Sequence, residues 1–524
     1  MNFPKELMQV VKERGLLLEK EIFDLLSSFQ DQSTAREFLL NLEKVVGQKV
    51  ITKSILHKNV EYLQHAVNQL LGESKSSVEN VCVRLGLHLE VSREVIVPPS
   101  LKEIPQPRTY QLHYADTKVS KKLDVKDFIG HFRSRYQQLQ RILIQRPELQ
   151  SLVAINKLSS SRQNLSIIGM VRKKRVTKNK NIILYLEDLT GEIQALVRAD
   201  REEIFVRAQE LQLDDVIAIK ASGNRDMLFI HELFFPDSFL PVKTKFNEDF
   251  SIAFLSDVHA GSDRHLGQSM QRFLDWLQSD DINASKIKYI FFSGDNVDGV
   301  GIFPGQEHVL KLKSMKEQYK LLASYIRQIP KNITVFMCPG QHDAVRVAEP
   351  QPIIDRSYAP ELYEIENLVL VTNPTLVKIL EGDKEFKVLM YHGASIHSFI
   401  NEIPELRLTK AHKTPAKAVR HMLKRRHLAP THSSVVYIPN LRLDPLVIAE
   451  VPDILCTGEV HRLDIESYNG TLIITGSCWQ AQTPFEEKVG NIPDPAKVPV
   501  LNIKTRELKI FDFGVEGEIN REYS

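Results

Sequence analysis

A chain of 524 residues with 43% hydrophobic and 26% charged side chains has the composition of an ordinary globular protein and suggests roughly three or four domains. No apolar run reaches the ~18 residues that a membrane span needs, and the opening MNFPKELMQVVKERG has no continuous apolar core with a small-residue cleavage site, so a cytoplasmic protein is expected. With 68 basic against 66 acidic side chains and a net charge of +2, bulk charge attraction to nucleic acid is excluded and any such surface must be a local patch. Cys82, Cys338, Cys456 and Cys478 form no C-x-x-C pair, which argues against a zinc ribbon or a disulfide framework.

From Phe3 to about Leu71 apolar residues recur at helical spacing, as in LEKEIFDLLSSF and TAREFLLNLEKVV, with Ser33 or Thr34 placed to cap the second. This predicts an α-helical N-terminal domain over 1–71. Residues 72–125 read as a linker, because the prolines of VPPSLKEIPQPRTYQ disfavour long helices and central strands. Phe128, Phe132, Tyr136, Leu139 and Ile142 then predict an amphipathic helix ending near Pro147.

Between Leu165 and Phe235 the pattern changes to short strands, LSIIGMV, NIILYLEDLTG, IQALV, DVIAIKASG and MLFIHELFF, with the helical REEIFVRAQEL between the third and fourth. That order is expected of an OB-fold β-barrel, giving a lead-in helix and OB domain over 126–240. Its first hairpin, VRKKRVTKNK, holds Arg172, Lys173, Lys174, Arg175, Lys178 and Lys180. It is either a grip for phosphates or a solvated hairpin.

From about Phe250 one arrangement repeats: an apolar run and then a polar cluster, in SIAFLSDVHAG, KYIFFSGDNVDG, ITVFMCPGQHD, FKVLMYHG and PDILCTGEVH. In an α/β domain such strand ends converge on a crevice. The clusters supply carboxylate, imidazole and amide groups suited to a divalent ion, at Asp257, His259, Asp295, Gln341, His392, Glu459 and His461. On extended backbone Asp257 with His259, and Glu459 with His461, would each point two side chains one way. Asp263, His265, His397 and His412 are read as surface or hydrogen-bonded residues, Asp298 as an outer or loop-fixing group, and Phe291, Phe292, Phe336 and Met337 as core. The run TPAKAVRHMLKRRHLAP puts Lys417, Arg420, Lys424, Arg425 and Arg426 on a helix whose basic face is either solvated or turned to phosphate.

The clusters at Asp257 and His259; Gly294, Asp295 and Asp298; Gly340, Gln341, His342 and Asp343; His392; and Gly458, Glu459 and His461 resemble those of the calcineurin-like metallophosphoesterases, D-x-H, G-D-x-x-D, G-N-H-D, a lone H and G-H-x-H. More narrowly, GDNVDGVGIFPGQE, PGQHDAVRVAEPQP, KRRHLAP and PDPAKVPV are similar to the small subunits of archaeal family-D DNA polymerases. The resemblance implies that 241–524 is an α/β phosphoesterase domain of two packed mixed β-sheets flanked by helices. It implies two divalent ions, Mn²⁺ or Mg²⁺, one held by Asp257, His259, Asp295 and His461 and the other by Asp295, His392 and the positions of Gln341 and Glu459. His342 would stabilise or protonate the leaving oxygen, with Asp343 orienting it. Gln341 and Glu459 depart from the family's asparagine and histidine, so the implied 3′ to 5′ exonuclease, a proofreading activity on single-stranded ends, is expected to be weakened. The implied partners are a large catalytic subunit, DNA and other replication factors. Two alternatives stay open: a non-catalytic scaffold like the B-subunits of other replicative polymerases, and a free-standing phosphoesterase.

Overall fold

The computed structural model describes residues 109–119 and 122–519, and before them Met8, residues 11–20, Phe23, Leu39, Val50 and Ile51. Contacts divide the chain into Met1–Ile104 and Pro105–Ser524. In the first unit β1 (Leu17–Leu18) pairs in parallel with β2 (Val50–Ile51); most of the helical domain expected over 1–71, and the linker from 72 to 108, lie outside the described residues.

In the second unit β3 (Tyr110–Tyr114) is followed by a helix, Val125–Ile144. Asp124 caps that helix, and a reciprocal bond from the Asp124 backbone to the Asp127 side chain at 2.9 Å completes a capping box. Tyr136, Leu139 and Leu143 on one face pack on Ile168, Met170, Val216 and Ala218. Phe128 and Phe132 on another face meet the rings of His432 and Tyr437. The expected periodicity therefore serves two surfaces at once.

Five strands follow: β4 (Gln163–Val176), β5 (Ile182–Glu187), β6 (Glu192–Val197), β7 (Val216–Gly223) and β8 (Leu228–Phe234). They close into a barrel in the order β4-β5-β6-β8-β7, with the helix Glu202–Gln209 between the third and fourth. The basic hairpin is the β4–β5 turn. Arg172 pairs with Glu192, Lys173 lies 5.4 Å from the Tyr185 ring centre, and Arg175 is exposed. Lys174 instead turns back to the Gln209 and Leu211 carbonyls. Burial lowers its pKa, so of the hairpin's six cations this one is withdrawn to a structural role.

The remaining strands are β9 (Ser251–Leu255), β10 (Ile287–Ser293), β11 (Thr334–Cys338), β12 (Leu368–Leu370), β13 (Thr375–Glu381), β14 (Lys384–Met390), β15 (Ile454–Thr457), β16 (Asp464–Tyr468), β17 (Thr471–Thr475), β18 (Lys497–Asn502) and β19 (Leu508–Asp512). They build two mixed six-stranded sheets, β12-β11-β10-β9-β18-β19 and β16-β17-β15-β14-β13-β3. Residues 110–114, expected in the linker, thus form a sheet edge. The prolines precede this strand, and Tyr110 and Leu112 point into the core.

Period-2 alternation sets the layers. Ile252, Phe254, Phe291, Phe336, Val388 and Ile454 meet between the two sheets, with Phe254 and Phe291 stacked at 5.4 Å and Phe291 and Phe336 at 5.2 Å. Ala253, Leu255, Ile290 and Phe292 turn to the helices Gly267–Leu277 and Met315–Ile326. The second sheet is covered by the helices Ile396–Glu402, Pro404–Leu408 and Ala416–Arg425. Each buried phenylalanine contributes about 1.5–3 kcal/mol.

The barrel and the sheets join through buried charge. Arg425 Nε lies 2.9 Å from Asp215, both side chains being at most 2% exposed, and the same guanidinium donates to the Glu210 carbonyl. Lys424 pairs with Glu210 and covers the Phe235 ring. Arg426, in left-handed backbone at φ 52°, ends the helix and donates to the Ile448 and Ala449 carbonyls at 2.7 Å each. Lys424, Arg425 and Arg426 are therefore structural cations, a correction to the phosphate-facing alternative. A basic run marks charge but not which element will cover it. The lead-in helix is tied in the same way: Asp444 accepts from Arg135 at 2.6 Å and from His427 at 2.9 Å.

Burial works to raise the Asp444 pKa, but Arg135 and His427 hold it well below the usual carboxylate range. Its stabilising contribution is then present above about pH 4 and fades as the pH falls further. Asp444→Asn, which leaves Arg135 buried without a counter-charge, is expected to cost about 3–5 kcal/mol at neutral pH. The shift in denaturant midpoint measures it, and the gap to the unsubstituted protein should narrow below pH 4.

Candidate metal centre

β9, β10 and β11 are parallel neighbours, as are β14 and β15 in the facing sheet. Their carboxyl ends therefore lie at one rim. The loops that leave them carry Asp257 and His259, then Asp295, then Gln341 and His342, then His392, and last Glu459 and His461.

The backbone at this rim is not the extended one expected. Asp257, His259, Asp295, Glu459 and His461 have φ of 51°, 45°, 47°, 75° and 56°. Side chains two apart still converge, but through left-handed bends. Each costs of order 1–3 kcal/mol and persists only where its surroundings enforce it. The enforcement is visible: the Asp257 amide donates to Gly294 O and the His259 amide to Asp295 O, both at 3.0 Å. The Glu459 amide donates to Asp257 Oδ1 at 3.1 Å and the His342 amide to Asp295 Oδ1 at 2.9 Å. Gly294, at φ 92°, allows the closeness, since a Cβ there would stand 2.4 Å from His392 Nδ1.

Four imidazoles are oriented alike. Nδ1 of His259 is 3.0 Å from Asp298 Oδ1, that of His461 3.0 Å from Glu486 Oε1, that of His392 2.8 Å from Ser293 O, and that of His342 2.6 Å from Asp298 O. Every Nδ1 faces an oxygen and so carries a proton, which leaves Nε2 facing inward, free to hold a second proton or to offer its lone pair to a cation. The Nε2 atoms gather round Asp295 Oδ2, at 3.3 Å from His392, 3.9 Å from His342 and 4.0 Å from His259. His461 Nε2 stands 3.6 Å from Asp257 Oδ1 and 3.0 Å from His259 Nε2.

Two Nε2 atoms at 3.0 Å need a proton or a metal cation between them. The buried Asp257 Oδ2 and Gln341 Oε1 have no hydrogen-bond partner. Orphaned acceptors in a buried cluster fit divalent ions. Three-residue groups able to hold an ion are Asp257 with His259 and His461, Asp257 with Asp295 and His392, and His259 with Asp298 and His342. The electrostatics agree: burial raises the Asp257 pKa, as for an anion short of positive charge. Burial also works to raise that of Asp295, but the imidazoles, His392 foremost, hold it well below the usual carboxylate range.

Two details depart from expectation. Asp343 touches no imidazole: it accepts from the Gly340 amide at 2.9 Å, from the Asn296 amide at 3.1 Å and from the Tyr319 hydroxyl at 3.0 Å. Burial foremost pushes its pKa to about 6. Asp343 therefore fixes the loop, and His342 is oriented by the Asp298 carbonyl. Glu459, for its part, leans on a neighbouring candidate ligand, with Oε2 3.2 Å from His392 Nε2.

Sequence motifs do not reveal Glu486 and Ser293. The Ser293 partner is a backbone carbonyl, which no side-chain pattern marks. Glu486 does carry a signal, the T-x-x-E capping box in which Thr483 and Glu486 bond reciprocally. That signal places a helix start and says nothing of the histidine behind which it stands. His265, expected at the surface or in a hydrogen bond, is the latter: it is turned inward with Nδ1 on Val258 O and Nε2 on the Tyr325 hydroxyl.

The sequence profile of the B-subunit family of DNA polymerases alpha and epsilon matches residues 252–463, which span the strand-end clusters. The DNA polymerase II small subunit of Pyrococcus horikoshii is 31% identical over 522 residues, 95% of this chain and 80% of that protein. Its counterpart in Archaeoglobus fulgidus is 38% identical over 386 residues, 72% of this chain and 75% of that protein. For the Pyrococcus furiosus protein the figures are 35% over 401 residues, 74% of this chain and 64% of that protein, a little under two thirds of its length. Likeness of this extent, carried through barrel and sheets alike, means that the chain belongs to the family of DNA polymerase II small subunits.

Proposed function

We propose that this chain supplies its polymerase with a metal-dependent 3′ to 5′ exonuclease for single-stranded or mispaired ends, working beside a large catalytic subunit. The observation that carries this reading is the set of four inward-facing Nε2 atoms, each ring pinned at Nδ1, around two buried carboxylates that include an orphaned oxygen. Asp257, His259, Asp295 and His461 would hold one divalent ion, and Asp295, His392, Gln341 and Glu459 the other. Oxygen-rich donors favour Mn²⁺ or Mg²⁺. Such a pair, when bound, lowers the pKa of water and clamps phosphate oxygens.

The chain's own groups then divide the work. Asp295 belongs to both halves of the set and would serve either ion. Of the four rings His342 is the most open, its side chain 22% exposed against 1% for His392, 3% for His259 and 13% for His461, so it is the ring a substrate reaches. Burial works to lower the His342 pKa, but Asp295 and the Asp298 carbonyl raise it, which favours the imidazolium with a proton on each nitrogen. As a water oxygen bonds to phosphorus and loses its proton to solvent, the bond to O3′ of the preceding nucleotide breaks, and the His342 imidazolium delivers its Nε2 proton to that oxygen. The barrel, which we read as an OB fold, presents Arg172, Lys173 and Arg175 to the strand or to the partner.

A second reading rests on the contact between Glu459 and His392. A carboxylate paired with a candidate ligand of the second ion favours a one-ion, silenced site in a scaffold subunit.

Purified with its large subunit, the protein is expected to digest 3′-mismatched DNA with Mn²⁺, and Asp295→Ala to lose about 100-fold or more of that rate. Equal digestion by both would assign the activity elsewhere, and none by either would favour the scaffold. Glu486→Ala should weaken Mn²⁺ binding, read by calorimetry, about 10–100-fold through loss of the bond that orients His461. Unchanged affinity would remove His461 from the ligand set.

A further inference from the structure

Beside His342 the rim opens into a groove of about 870 Å³, within the range of small-ligand sites. It runs from Gln341 and His342 between the loop after β10 and the segment after β11. Val300, Ile302, Val347, Ile353, Tyr358 and Tyr363 line it, each between 38% and 56% exposed. Large apolar side chains gathered at this exposure mark a binding surface more often than chance.

Three features bear on what it holds. Tyr363 donates its hydroxyl to the Ile354 carbonyl at 2.6 Å, which holds the ring still, and the Arg356 guanidinium lies 5.7 Å from the ring centre. Tyr358, at 47% exposure, also lines the groove. Arg346, also on the wall, donates to the Ala348, Pro350 and Thr117 carbonyls and so has little left for a phosphate. The groove therefore offers ring faces more than backbone grips. None of its lining residues belongs to a strand, so an extended peptide would find no ladder to join. Nucleobases match such a surface, since every base has a face to stack and a guanidinium completes the sandwich.

We propose that this groove receives single-stranded DNA on the leaving-group side of the cleavage, stacking the penultimate base, and the one before it, on Tyr358 and Tyr363. The direction rests on the exonuclease reading: if His342 serves the departing O3′, the nucleotide that bears that oxygen lies at His342, where the groove begins. Recognition is by stacking and is tolerant of sequence. A strand end that is already unpaired enters more easily than a paired one, because a base must leave its helix to lie flat on a tyrosine.

The test uses the complex with the large subunit and a ten-residue oligothymidylate carrying 5-iododeoxyuridine at its penultimate position and a terminal phosphorothioate to slow cleavage. Irradiation and mass spectrometry should place the cross-link on Tyr358 or Tyr363. With the unmodified oligonucleotide, Tyr358→Ala should raise KM about tenfold, with the effect on KM larger than on kcat, and Tyr358→Phe should restore it. A cross-link at the tyrosines without hydrolysis would uphold the groove and defeat the exonuclease reading. Hydrolysis with an unaltered KM in Tyr358→Ala and cross-links elsewhere would overturn the groove and leave the exonuclease standing. Protection of the groove from hydrogen exchange by the large subunit, with no cross-link there, would overturn it in favour of a protein partner.

Discussion

The Asp295 carboxylate, buried and ringed at 3.3–4.0 Å by the Nε2 atoms of three histidines, is the interaction on which the rest of the structure depends. A carboxylate away from water is tolerable only where positive charge or donors meet it. Here the His342 amide meets one oxygen and imidazoles crowd the other. To bring those groups together the chain must end five strands at one rim and turn the backbone left-handed at five candidate site positions. The two sheets, stacked through Phe254, Phe291 and Phe336, hold that rim in place.

Behind the inward atoms stands a shell of oxygens that sets each ring. Asp298 serves twice, through its side chain for His259 and through its carbonyl for His342. Glu486 serves His461 from a short helix whose capping box fixes the carboxylate. The same economy of buried charge joins the barrel to the sheets through Arg425 with Asp215 and ties in the lead-in helix through Arg135 with Asp444, pairs 210 and 309 residues apart in the chain. Removing one partner of such a pair strands the other in a medium that solvates it poorly.

Much of this is legible in the sequence. The barrel strands and the helix among them follow from a change of period from 3.6 to 2. Asp257, His259, Asp295, His392 and His461 stand out because each closes an apolar run, and all come to the rim. Less legible is how they get there: alternation on extended backbone is the expectation, and left-handed bends are the fact. The motif gives Asp343 an orienting task that belongs to the Asp298 carbonyl. The linker hides a strand at Tyr110–Tyr114, whose partner β13 lies over 260 residues away.

The sequence by itself determined the barrel elements and the order of the strand ends that carry the candidate site residues, because burial periodicity and local turn chemistry are written within a few residues. Only the tertiary structure decided which cations face solvent. Lys424, Arg425 and Arg426 read as a basic helix face, yet the barrel unit takes up the first two and the Ile448 and Ala449 carbonyls the third. It also decided which nitrogen of each histidine turns inward, and that a tyrosine-lined groove adjoins His342. Periodicity specifies which face of an element seeks cover. What covers it is chosen by distant segments, whose approach is a property of the whole fold.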